Sequence, residues 1–278
     1  MTNTVWFITG ASRGLGLVLA RELLARGHRV AATSRSVDAL TRELGASSDR
    51  FLPLAMEVTS EASVAGAVRA AVAHFGKLDV VVNNAGYGQI GAAEEVTDDE
   101  ARRNFDVNLF GVLNVLRATL PHLREQRSGH VFNISSVGGF VGGFTGWGIY
   151  CATKFALAGL TESLREDLAP FGVGATVVYP GYFRTSFLDA GSVGRPSRPI
   201  AAYASARASE AQHVDHINGH QPGDPAKAVR VLIDLVETKQ NPLHLFLGSD
   251  AVQMAERKLA QVGQELTALA PLGRSTDY

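Results

Sequence analysis

The chain has 278 residues, 46% of them hydrophobic, and its 26 lysines and arginines nearly balance its 27 aspartates and glutamates. This length fits one large α/β domain with an insertion. The formal net charge is -1, whereas proteins that bind nucleic acid or a membrane surface usually carry an excess of basic residues. We therefore expect no binding to nucleic acid or membranes, and the predicted partner is a small molecule. The single cysteine, Cys151, permits no intrachain disulfide. The sequence opens directly into an apolar strand-like run without a signal-like segment, and we expect a cytoplasmic location.

The first predicted strand, residues 5–9, leads into a glycine-rich turn and a helical stretch that runs to Arg26. Glycines let the backbone approach a pyrophosphate closely, and the free N–H groups at a helix start attract the anion. The spacing Gly-x-x-x-Gly-x-Gly therefore predicts a phosphate site, although the common fingerprint is Gly-x-Gly-x-x-Gly. An ordinary tight turn is the alternative, which the position after the first strand disfavours. The predicted cofactor contacts in this loop are Gly10, Ser12, Arg13, Gly14, Leu15 and Gly16.

A second predicted strand, residues 29–33, ends at Ser34 and Arg35, about twenty residues past the loop, where dinucleotide folds contact the adenosine ribose. An acidic residue there would bind the ribose 2'-hydroxyl, and this chain has none. Arg13 and Arg35 are instead placed to bind a 2'-phosphate, since an arginine fork gives phosphate two hydrogen bonds. The sequence thus predicts NADP(H) in preference to NAD(H). The alternative is that either arginine is only solvated.

Strands and helices alternate along the rest of the chain. Strands are predicted at 51–56, 78–82, 130–134, 174–178 and 243–247, and helices at 60–75, 97–120, 150–170, 224–238 and 251–269. This alternation predicts a Rossmann-like, doubly wound parallel sheet of about seven strands with helices on both faces. The helix at 97–120 starts with the capping box of Thr97 and Glu100. Asn108 falls inside that helix, and a mid-helix asparagine normally faces solvent.

One domain, residues 1–278, is expected, because no repeat or low-complexity linker divides the chain. The alternation lapses only at about residues 186–222, a stretch rich in Ser, Ala, Pro and Arg. A segment this long is unusual as a plain connection and is predicted to be a substrate lid. Its residues 201–206 have roughly helical spacing, which predicts a short amphipathic helix that closes on substrate.

Tyr150 and Lys154 are four positions apart, which places them one turn apart on the same face of a helix. A phenol titrates near pH 10, and a nearby ammonium favours the phenolate, so we expect a lowered Tyr150 pKa. Such a pair makes a general acid/base. A Tyr-x-x-x-Lys spacing also arises by chance. The catalytic interpretation of the pair therefore depends on the upstream glycine loop, which could bring a redox cofactor to it. Cys151 points about 100 degrees away on the helix and is expected to be a packing residue.

The lid stretch also contains residues of types that bind metals. His213, Asp215, His216 and His220 have roughly helical spacing, but a mobile polar segment favours a solvated face over a metal site. We therefore expect no catalytic metal.

Taken in order, these motifs resemble the short-chain dehydrogenase/reductase family over about residues 5–248. The Thr-Gly-x-x-x-Gly-x-Gly run at 9–16 is similar to the family's cofactor loop, and Asn-Asn-Ala-Gly at 83–86 to its sheet-stabilising motif. Tyr150 and Lys154 match its active-site motif. Several ordered matches are more specific than any one of them.

The resemblance implies that Tyr150 is the catalytic acid/base and that Lys154 lowers its pKa and holds the nicotinamide ribose. By the same resemblance, Ser136 binds the substrate oxygen and Asn108 supports a water-linked proton relay. Thr185 is implied to contact the nicotinamide carboxamide. The cofactor contacts implied beyond the glycine loop are Ser34, Arg35, Glu57, Val58, Asn84, Ala85, Gly86, Tyr150, Lys154, Pro180, Gly181 and Thr185.

Two departures from the family pattern are visible. Glu57 and Val58 stand where the family usually has Asp-Val, which puts an adenine contact from the Glu57 side chain in doubt. Ser136 lies one residue farther before Tyr150 than expected, which suggests a one-residue insertion within 138–148. Ser135 would be farther still and is expected to be a structural neighbour.

Aromatic residues are predicted to form an apolar wall around the reacting centre, the usual composition of a ligand pocket. The predicted substrate contacts are Ser136, Phe144, Trp147, Tyr150, Phe183 and Phe187. No cluster of lysine or arginine is fixed near Tyr150, so we expect a medium-sized hydrophobic carbonyl compound or alcohol, steroid- or polyketide-like, and no strongly anionic substrate.

A stripe of leucines follows Tyr150 on the same predicted helix, at 157, 160, 164 and 168. We expect it to join the helix at 97–120 and their copies in a homodimer or homotetramer, as the resemblance implies. An entirely intrachain core is the alternative.

The leading functional hypothesis is an NADP(H)-dependent oxidoreductase. A cofactor-binding sensor or scaffold on the same fold is the alternative, although such a protein would be expected to lose Tyr150 or Lys154. A sugar-nucleotide epimerase or dehydratase of the related longer family would need a larger C-terminal domain than this chain has.

Overall fold

The computed structural model describes residues 3–189 and 191–278. Its strands are β1 (Val5–Ile8), β2 (Arg29–Ser34), β3 (Phe51–Ala55), β4 (Val80–Asn83), β5 (Gly88–Gln89), β6 (Gly129–Ile134), β7 (Val173–Pro180), β8 (Val193–Gly194) and β9 (His244–Leu247). Within the described residues, seven of them form a parallel sheet in the order β3-β2-β1-β4-β6-β7-β9. The Rossmann-like parallel sheet predicted from the alternation is confirmed.

Strand β1 pairs with both β2 and β4, so the strand order reverses between β1 and β4. In a doubly wound sheet, ligands bind outside the carboxyl ends of the strands at such a switch point. The glycine loop follows β1 and the Asn-Asn-Ala-Gly motif begins at the last residue of β4, so both motifs meet at this crevice.

The helices are α1 (Gly14–Ala25), α2 (Val37–Leu44), α3 (Glu61–Phe75), α4 (Asp98–Phe105), α5 (Gly111–Gln126), α6 (Gly148–Leu168), α7 (Ala204–Ala211), α8 (Pro225–Glu237) and α9 (Ser249–Arg274). One apolar core joins the sheet to α3, α5 and α6, and a second joins its other face to α1 and α8. No helix among the described residues combines the length and apolar character needed to cross a bilayer.

The helix predicted at 97–120 differs from the structure in its middle. The capping box is present, since Glu100 N–H donates to Thr97 Oγ1 and Thr97 N–H donates to the Glu100 carboxylate. However, α4 ends at Phe105, and a π-helical turn (Asp106–Phe110) separates it from α5. Such turns inside helices are frequent at functional sites, and this one contains Asn108.

The predicted lid stretch contains regular structure. A 3-10 turn at Ser186–Leu188 is followed by β8, which pairs with β5, and then by α7 and a π-helical turn at Gln212–Ile217. The short helix expected near 201–206 is present but begins three residues later, as α7, and its Ala206 side chain is buried. Closure of this segment on substrate stays a prediction.

The leucine stripe of α6 packs inside its own chain. Leu157, Leu164 and Leu168 are buried in the core shared with α3 and α5, and Leu160 packs against it. The expectation that this stripe faces a second copy is therefore wrong. The stripe packs in the core that also contains residues of α3 and α5, because all three helices cover one face of the sheet.

Candidate active site

The glycine loop packs directly on the backbone that follows β4. Gly10 has φ +66°, and a Cβ there would lie 2.9 Å from Ala85 Cα. At Gly16 a Cβ would lie 2.5 Å from Asn84 Nδ2. Thr9 Oγ1 accepts hydrogen bonds from the Asn84 and Ala85 N–H groups, each at 2.9 Å, and Asn84 Nδ2 donates to the carbonyls of Thr9 and Gly10 at 2.9 and 3.0 Å. The two sequence motifs therefore form one rigid unit.

Helix α1 presents an open N-terminus beside this unit. Arg13 occupies the N-cap position in an extended conformation, and its side chain does not cap the helix. The first N–H groups of a helix lack intrahelical partners, so they are available to an anion. Gly14 has φ +57°, and a Cβ there would face the cavity, 3.8 Å from Ser186 Oγ. This cradle fits the pyrophosphate of a nicotinamide dinucleotide.

The residues predicted to select the cofactor lie at the rim of the same crevice. Ser34 Oγ donates to Ser12 Oγ at 3.1 Å, and Arg35 is exposed beside them. Arg13 Nη2 donates to the Gly191 carbonyl at 3.1 Å. The Glu57 carboxylate accepts hydrogen bonds from the N–H and hydroxyl groups of Thr59, so its partners lie within the same loop.

Tyr150 and Lys154 lie in the first two turns of α6 and are 7% and 5% exposed. Lys154 Nζ donates to the Ile134 carbonyl at 2.8 Å and stands 5.8 Å from the centroid of the Tyr150 ring. Ser135 Oγ donates to the Lys154 carbonyl at 2.9 Å, so Ser135 is the structural neighbour that was expected. Cys151 is buried in the adjoining apolar cluster, and burial raises the pKa of its thiol to about 11, which agrees with a packing role.

Burial is the main influence on the pKa values of Tyr150 and Lys154. It raises the pKa of Tyr150 above its usual value, against an opposing hydrogen bond with the Ser136 side chain, and it lowers the pKa of Lys154 to about 8. The expected lowering of the Tyr150 pKa by Lys154 is therefore wrong for this structure, because desolvation of the phenolate is the largest influence on that pKa and raises it. The phenol keeps its proton at neutral pH.

Asn108 is buried and does not face solvent. Its Oδ1 accepts from the Tyr87 N–H at 3.0 Å, and its Nδ2 donates to the Tyr87 carbonyl at 3.0 Å and to Thr153 Oγ1 at 3.1 Å. A Cβ at Gly86 would lie 3.0 Å from Asn108 Oδ1 and 3.5 Å from Lys154 Nζ. Asn108 thus ties the loop after β4 to α6, immediately behind the lysine.

One cavity of about 710 Å³ connects these groups. Every residue predicted to contact cofactor or substrate lines it except Gly16, which packs on Asn84 below the loop. Asn108 does not line it either and sits behind the wall. Ser136 lines it beside Tyr150, and its Oγ accepts from the Gly138 N–H at 3.0 Å. The contacts themselves stay predictions.

The far end of the cavity is apolar. The rings of Trp147 and Phe187 each lie with their centroids 5.7 Å from that of Tyr150, and Phe144 and Leu188 pack in the same cluster. Phe183 also lines the cavity, but it packs against the core between the sheet and α1. Its position favours the cofactor half over the substrate half.

The sequence did not predict a pair of polar residues, Tyr182 and His213, at the apolar end of the cavity. Tyr182 Oη lies 2.9 Å from His213 Nε2, and His213 Nδ1 lies 2.7 Å from the Ser209 carbonyl. His213 is 8% exposed against the Trp147 ring, so a solvated face was the wrong interpretation for it. Nothing in the residue pattern indicates this pairing, because the path of the lid segment creates it. In the described part of the chain, no three His, Cys, Asp or Glu residues lie close enough to hold a metal.

A buried carboxylate attaches the lid segment to the loop after β5. The side chain of Glu95 is fully buried and accepts from the Ile200 N–H at 2.8 Å and from Arg207 Nη2 at 2.7 Å. The hydrogen bond from Ile200 is the main cause of a lowered Glu95 pKa. Tyr203 Oη donates to the Glu94 carboxylate at 2.6 Å. These contacts hold α7 beside the substrate end of the cavity.

The family model described as short chain dehydrogenase matches residues 4–192. The chain belongs to the short-chain dehydrogenase family. It is 37% identical over 252 residues to oxidoreductase BOA17 of Botryotinia fuckeliana, covering 90% of this chain and 91% of that protein. It is 39% identical over 189 residues to the 3-ketodihydrosphingosine reductase of Bacteroides thetaiotaomicron, covering 68% of this chain and 67% of that protein.

Solved structures of the family are similar over nearly the whole chain. A short-chain dehydrogenase from Streptomyces avermitilis has a TM-score of 0.90 at 39% identity, covering 99% of this chain and 100% of that one. The 3-ketoacyl-(acyl-carrier-protein) reductase of Brucella melitensis, complexed with NADH, has a TM-score of 0.72 at 26% identity and coverages of 87% and 96%. A short-chain dehydrogenase from Burkholderia cenocepacia in complex with NADP has a TM-score of 0.73 at 26% identity, covering 96% of this chain and 97% of that one. The chain is thus an oxidoreductase of a family whose members hold NAD or NADP(H).

Proposed function

We propose that the protein is an NADP(H)-dependent oxidoreductase that transfers hydride between the nicotinamide and a carbonyl or secondary alcohol of a medium-sized hydrophobic substrate. One observation carries this proposal. Tyr150, Ser136 and Lys154 line a single cavity between the glycine cradle of α1 and the apolar cluster around Trp147. Reduction of hydrophobic ketones with NADPH, followed by the absorbance of the reduced cofactor, tests it.

The nicotinamide, when bound, supplies hydride to the carbonyl carbon or takes it from the alcohol carbon. In the direction of reduction, the O–H bond of Tyr150 breaks and its proton passes to the carbonyl oxygen, which becomes the alcohol hydroxyl. Ser136 Oγ donates a hydrogen bond to that oxygen and stabilises the charge that develops on it. The raised Tyr150 pKa suits this role, because it keeps the proton on the phenol before the step.

Lys154 then stabilises the phenolate that remains. Its ammonium is held by the Ile134 carbonyl within one helical turn of the ring, where low polarity strengthens the attraction. We propose that Asn108 supports a water-linked path that returns a proton to Tyr150. Its buried amide beside the lysine supports that assignment.

Cofactor preference is proposed to depend on Arg13, Ser34 and Arg35, which line the same end of the cavity. Ser34→Asp places a carboxylate where a 2'-phosphate would lie, so the ratio of kcat/KM for NADPH to that for NADH should fall by about tenfold or more. Thr41→Asp adds the same charge to α2 outside the cavity and should leave the ratio unchanged. Equal kcat/KM with both cofactors in the unaltered protein would contradict the assignment.

Substrate size is proposed to be set by Phe144, Trp147 and Phe187. The similarity to a 3-ketodihydrosphingosine reductase supports a long apolar carbonyl compound. In a series of ketones of rising apolar length, each added CH₂ that enters the pocket contributes about 0.8 kcal/mol, so kcat/KM should rise about threefold to fourfold per group until the pocket is filled. Polyhydroxylated ketones of equal length are the control and should be poor substrates. A flat series, or a preference for phosphorylated compounds, would show that the apolar wall does not select the substrate.

We further propose a homodimer or homotetramer in the cytoplasm. With the leucine stripe of α6 assigned to the core, the support for assembly now comes from Phe110 and Phe155, large apolar side chains that are 51% and 42% exposed on neighbouring elements. Exposed aromatic groups of this size often mark subunit contacts.

A further inference from the structure

The substrate end of the cavity contains two hydrogen-bond acceptors that the proposed reaction does not use. One is the hydroxyl oxygen of Tyr182, which follows β7, and the other is the amide oxygen of Gln221, near the end of the lid segment. Both residues line the cavity. Each side chain is oriented by a series of hydrogen bonds that ends at a group able only to accept, so the direction of each series is fixed.

Tyr182 donates its hydroxyl proton to His213. The Nδ1 atom of His213 lies 2.7 Å from the Ser209 carbonyl, and since a carbonyl only accepts, this nitrogen carries the ring proton. In the neutral imidazole Nε2 is then an acceptor, and it lies 2.9 Å from Tyr182 Oη. The O–H of Tyr182 is thus used inside the protein, and the lone pairs of its oxygen remain for a ligand.

The surrounding structure holds this pair in place. The Tyr182 N–H donates to the Asp250 carboxylate at 2.7 Å. Burial raises the pKa of Tyr182 to about 12, so its phenol keeps the proton at neutral pH. His213 belongs to the π-helical turn at Gln212–Ile217, and such turns are frequent at functional sites.

Gln221 presents the second acceptor. The Asp189 carboxylate accepts from Asn218 Nδ2 at 2.9 Å, so Asn218 Oδ1 is left to accept from Gln221 Nε2, at 3.4 Å. Gln221 is 2% exposed, and its Oε1 has no hydrogen-bond partner among the described residues. A buried acceptor without a donor is costly, and an N–H or O–H group of a ligand would remove that cost.

These acceptors lie close to the reacting centre. The Trp147 ring packs against both Tyr150 and His213, with centroids 5.7 and 4.9 Å away. Burial is the main cause of the raised Tyr150 pKa, and the smaller contribution from Tyr182 reflects the proximity of the two hydroxyls. A ligand group that meets Tyr182 must therefore be attached near the carbon that reacts beside Tyr150.

We propose that Tyr182 and Gln221 form a subsite for a hydrogen-bond donor, and that the preferred substrate is an apolar ketone with a hydroxyl or amino group on the α or β carbon. The O–H or N–H of that group donates to Tyr182 Oη. A site built to bind a donor rejects an analogue without one, because its own polar groups are then left unpaired. This inference rests on the proposed function, since it requires that a carbonyl bind beside Tyr150.

The test compares long-chain ketones that have a hydroxyl on the α or β carbon with their O-methyl ethers, using the full chain and NADPH. The measured quantity is the ratio of kcat/KM for hydroxy ketone to that for ether, because differences in intrinsic reactivity cancel when this ratio is compared between variants. Tyr182→Phe keeps the ring and removes the acceptor, so the ratio should fall by about 3- to 10-fold. Tyr179→Phe removes a hydroxyl from another Tyr–His contact, outside the cavity, and should leave the ratio unchanged.

His213→Phe tests the assigned direction of the hydrogen bonds. The variant keeps a ring against Trp147 but removes Nε2, so the O–H of Tyr182 becomes free to donate to the ether oxygen. The preference for the hydroxy ketone should therefore fall although Tyr182 is unchanged. A role of His213 in packing alone predicts an unchanged ratio. Helix content and NADPH binding serve as controls for folding.

Two further ketones separate a hydroxyl from an amino group as the donor. A protonated α-amino ketone and its trimethylammonium analogue have the same charge, but only the first has N–H groups. A preference for the amino ketone that falls in Tyr182→Phe and in Gln221→Met assigns an amino group to the subsite. The isomer with its hydroxyl at the far end of the chain should show no preference over its ether.

Binding of the corresponding alcohols to the protein–NADPH complex, measured by calorimetry, gives the same comparison without hydride transfer. If a hydroxy alcohol binds more tightly than its ether, and Tyr182→Phe removes the difference while no ketone is reduced, the subsite stands and the proposed reaction fails. If ketones are reduced but both ratios are the same in the unaltered protein and in Tyr182→Phe, the reaction stands and the subsite is overturned.

Discussion

Tyr150→Phe is expected to lower kcat by about 10² or more while cofactor binding stays nearly unchanged. The variant keeps the ring, which packs between Trp147 and Phe187, and removes only the hydroxyl that would carry the proton. Cofactor titration by protein fluorescence and steady-state turnover with a hydrophobic ketone measure the two quantities separately.

Tyr179→Phe is a matched control. Tyr179 is equally buried, but it stacks on Phe246 at the edge of the sheet and does not line the cavity. Among the described residues its hydroxyl has one hydrogen-bond partner, His244 at 3.3 Å, so turnover should remain near that of the unaltered protein. Near-normal turnover of Tyr150→Phe would remove Tyr150 as the acid/base.

Lys154→Met is expected to lower kcat/KM by about 10² or more and, at the same time, to stabilise the cofactor-free fold. The ammonium is buried, and burial lowers the pKa of Lys154 to about 8. Methionine has a similar shape and no charge to desolvate. After allowance for the lost hydrogen bond to Ile134, the free energy of unfolding at pH 7 should rise by the order of 1–2 kcal/mol.

The stability gained by Lys154→Met should depend on pH in a defined direction. Between pH 8 and about 10.4 the unfolded chain binds a proton at Lys154 that the folded chain has lost, so the stability of the unaltered protein rises with pH in this window. The advantage of the Met variant should therefore be full below pH 8 and shrink as the pH approaches 10.4.

Thermal unfolding of both proteins at pH 7 and pH 10 measures this difference. Lys239→Met changes an exposed lysine in the same way and should show no such dependence. A Lys154→Met variant that is less stable at pH 7 would show that the bond to Ile134 outweighs the cost of burial.

The features that followed from the sequence are those that local chemistry determines. Strand and helix periodicity predicted the parallel sheet, and the glycine spacing predicted an open helix start. Gly10 and Gly16 are required because the backbone of Ala85 and the side-chain amide of Asn84, respectively, occupy the space of a side chain. These contacts join segments whose order along the chain already indicated that they meet.

The features that were missed depend on packing between distant segments. A periodicity argument cannot tell whether the leucines of α6 pack in the core of their own chain or against another copy. Helix propensity suggested a solvated place for Asn108, whereas its amide satisfies both polar groups of the Tyr87 backbone within a π-helical turn. Likewise, His213 is buried against Trp147 because the lid segment, which Glu95 attaches to the loop after β5, places it there.

The ionisation of the site shows the same limit. The four-residue spacing correctly placed Tyr150 and Lys154 on one face, but the sign of the Tyr150 pKa shift depends on how far water is excluded. Burial of the phenol is the largest cause of the raised pKa, and only the folded environment determines how deeply the phenol is buried.

Hydride transfer is tested most directly by a quantitative turnover measurement. The purified full chain is mixed with NADPH and a hydrophobic ketone, the absorbance of the reduced cofactor is followed, and the alcohol formed is measured. We expect saturable turnover in which one alcohol forms for each NADPH oxidised, and its loss in Tyr150→Phe. Tight binding of NADPH without turnover of any ketone, aldehyde or alcohol in either direction would contradict the proposed reaction and leave a cofactor-binding sensor or scaffold.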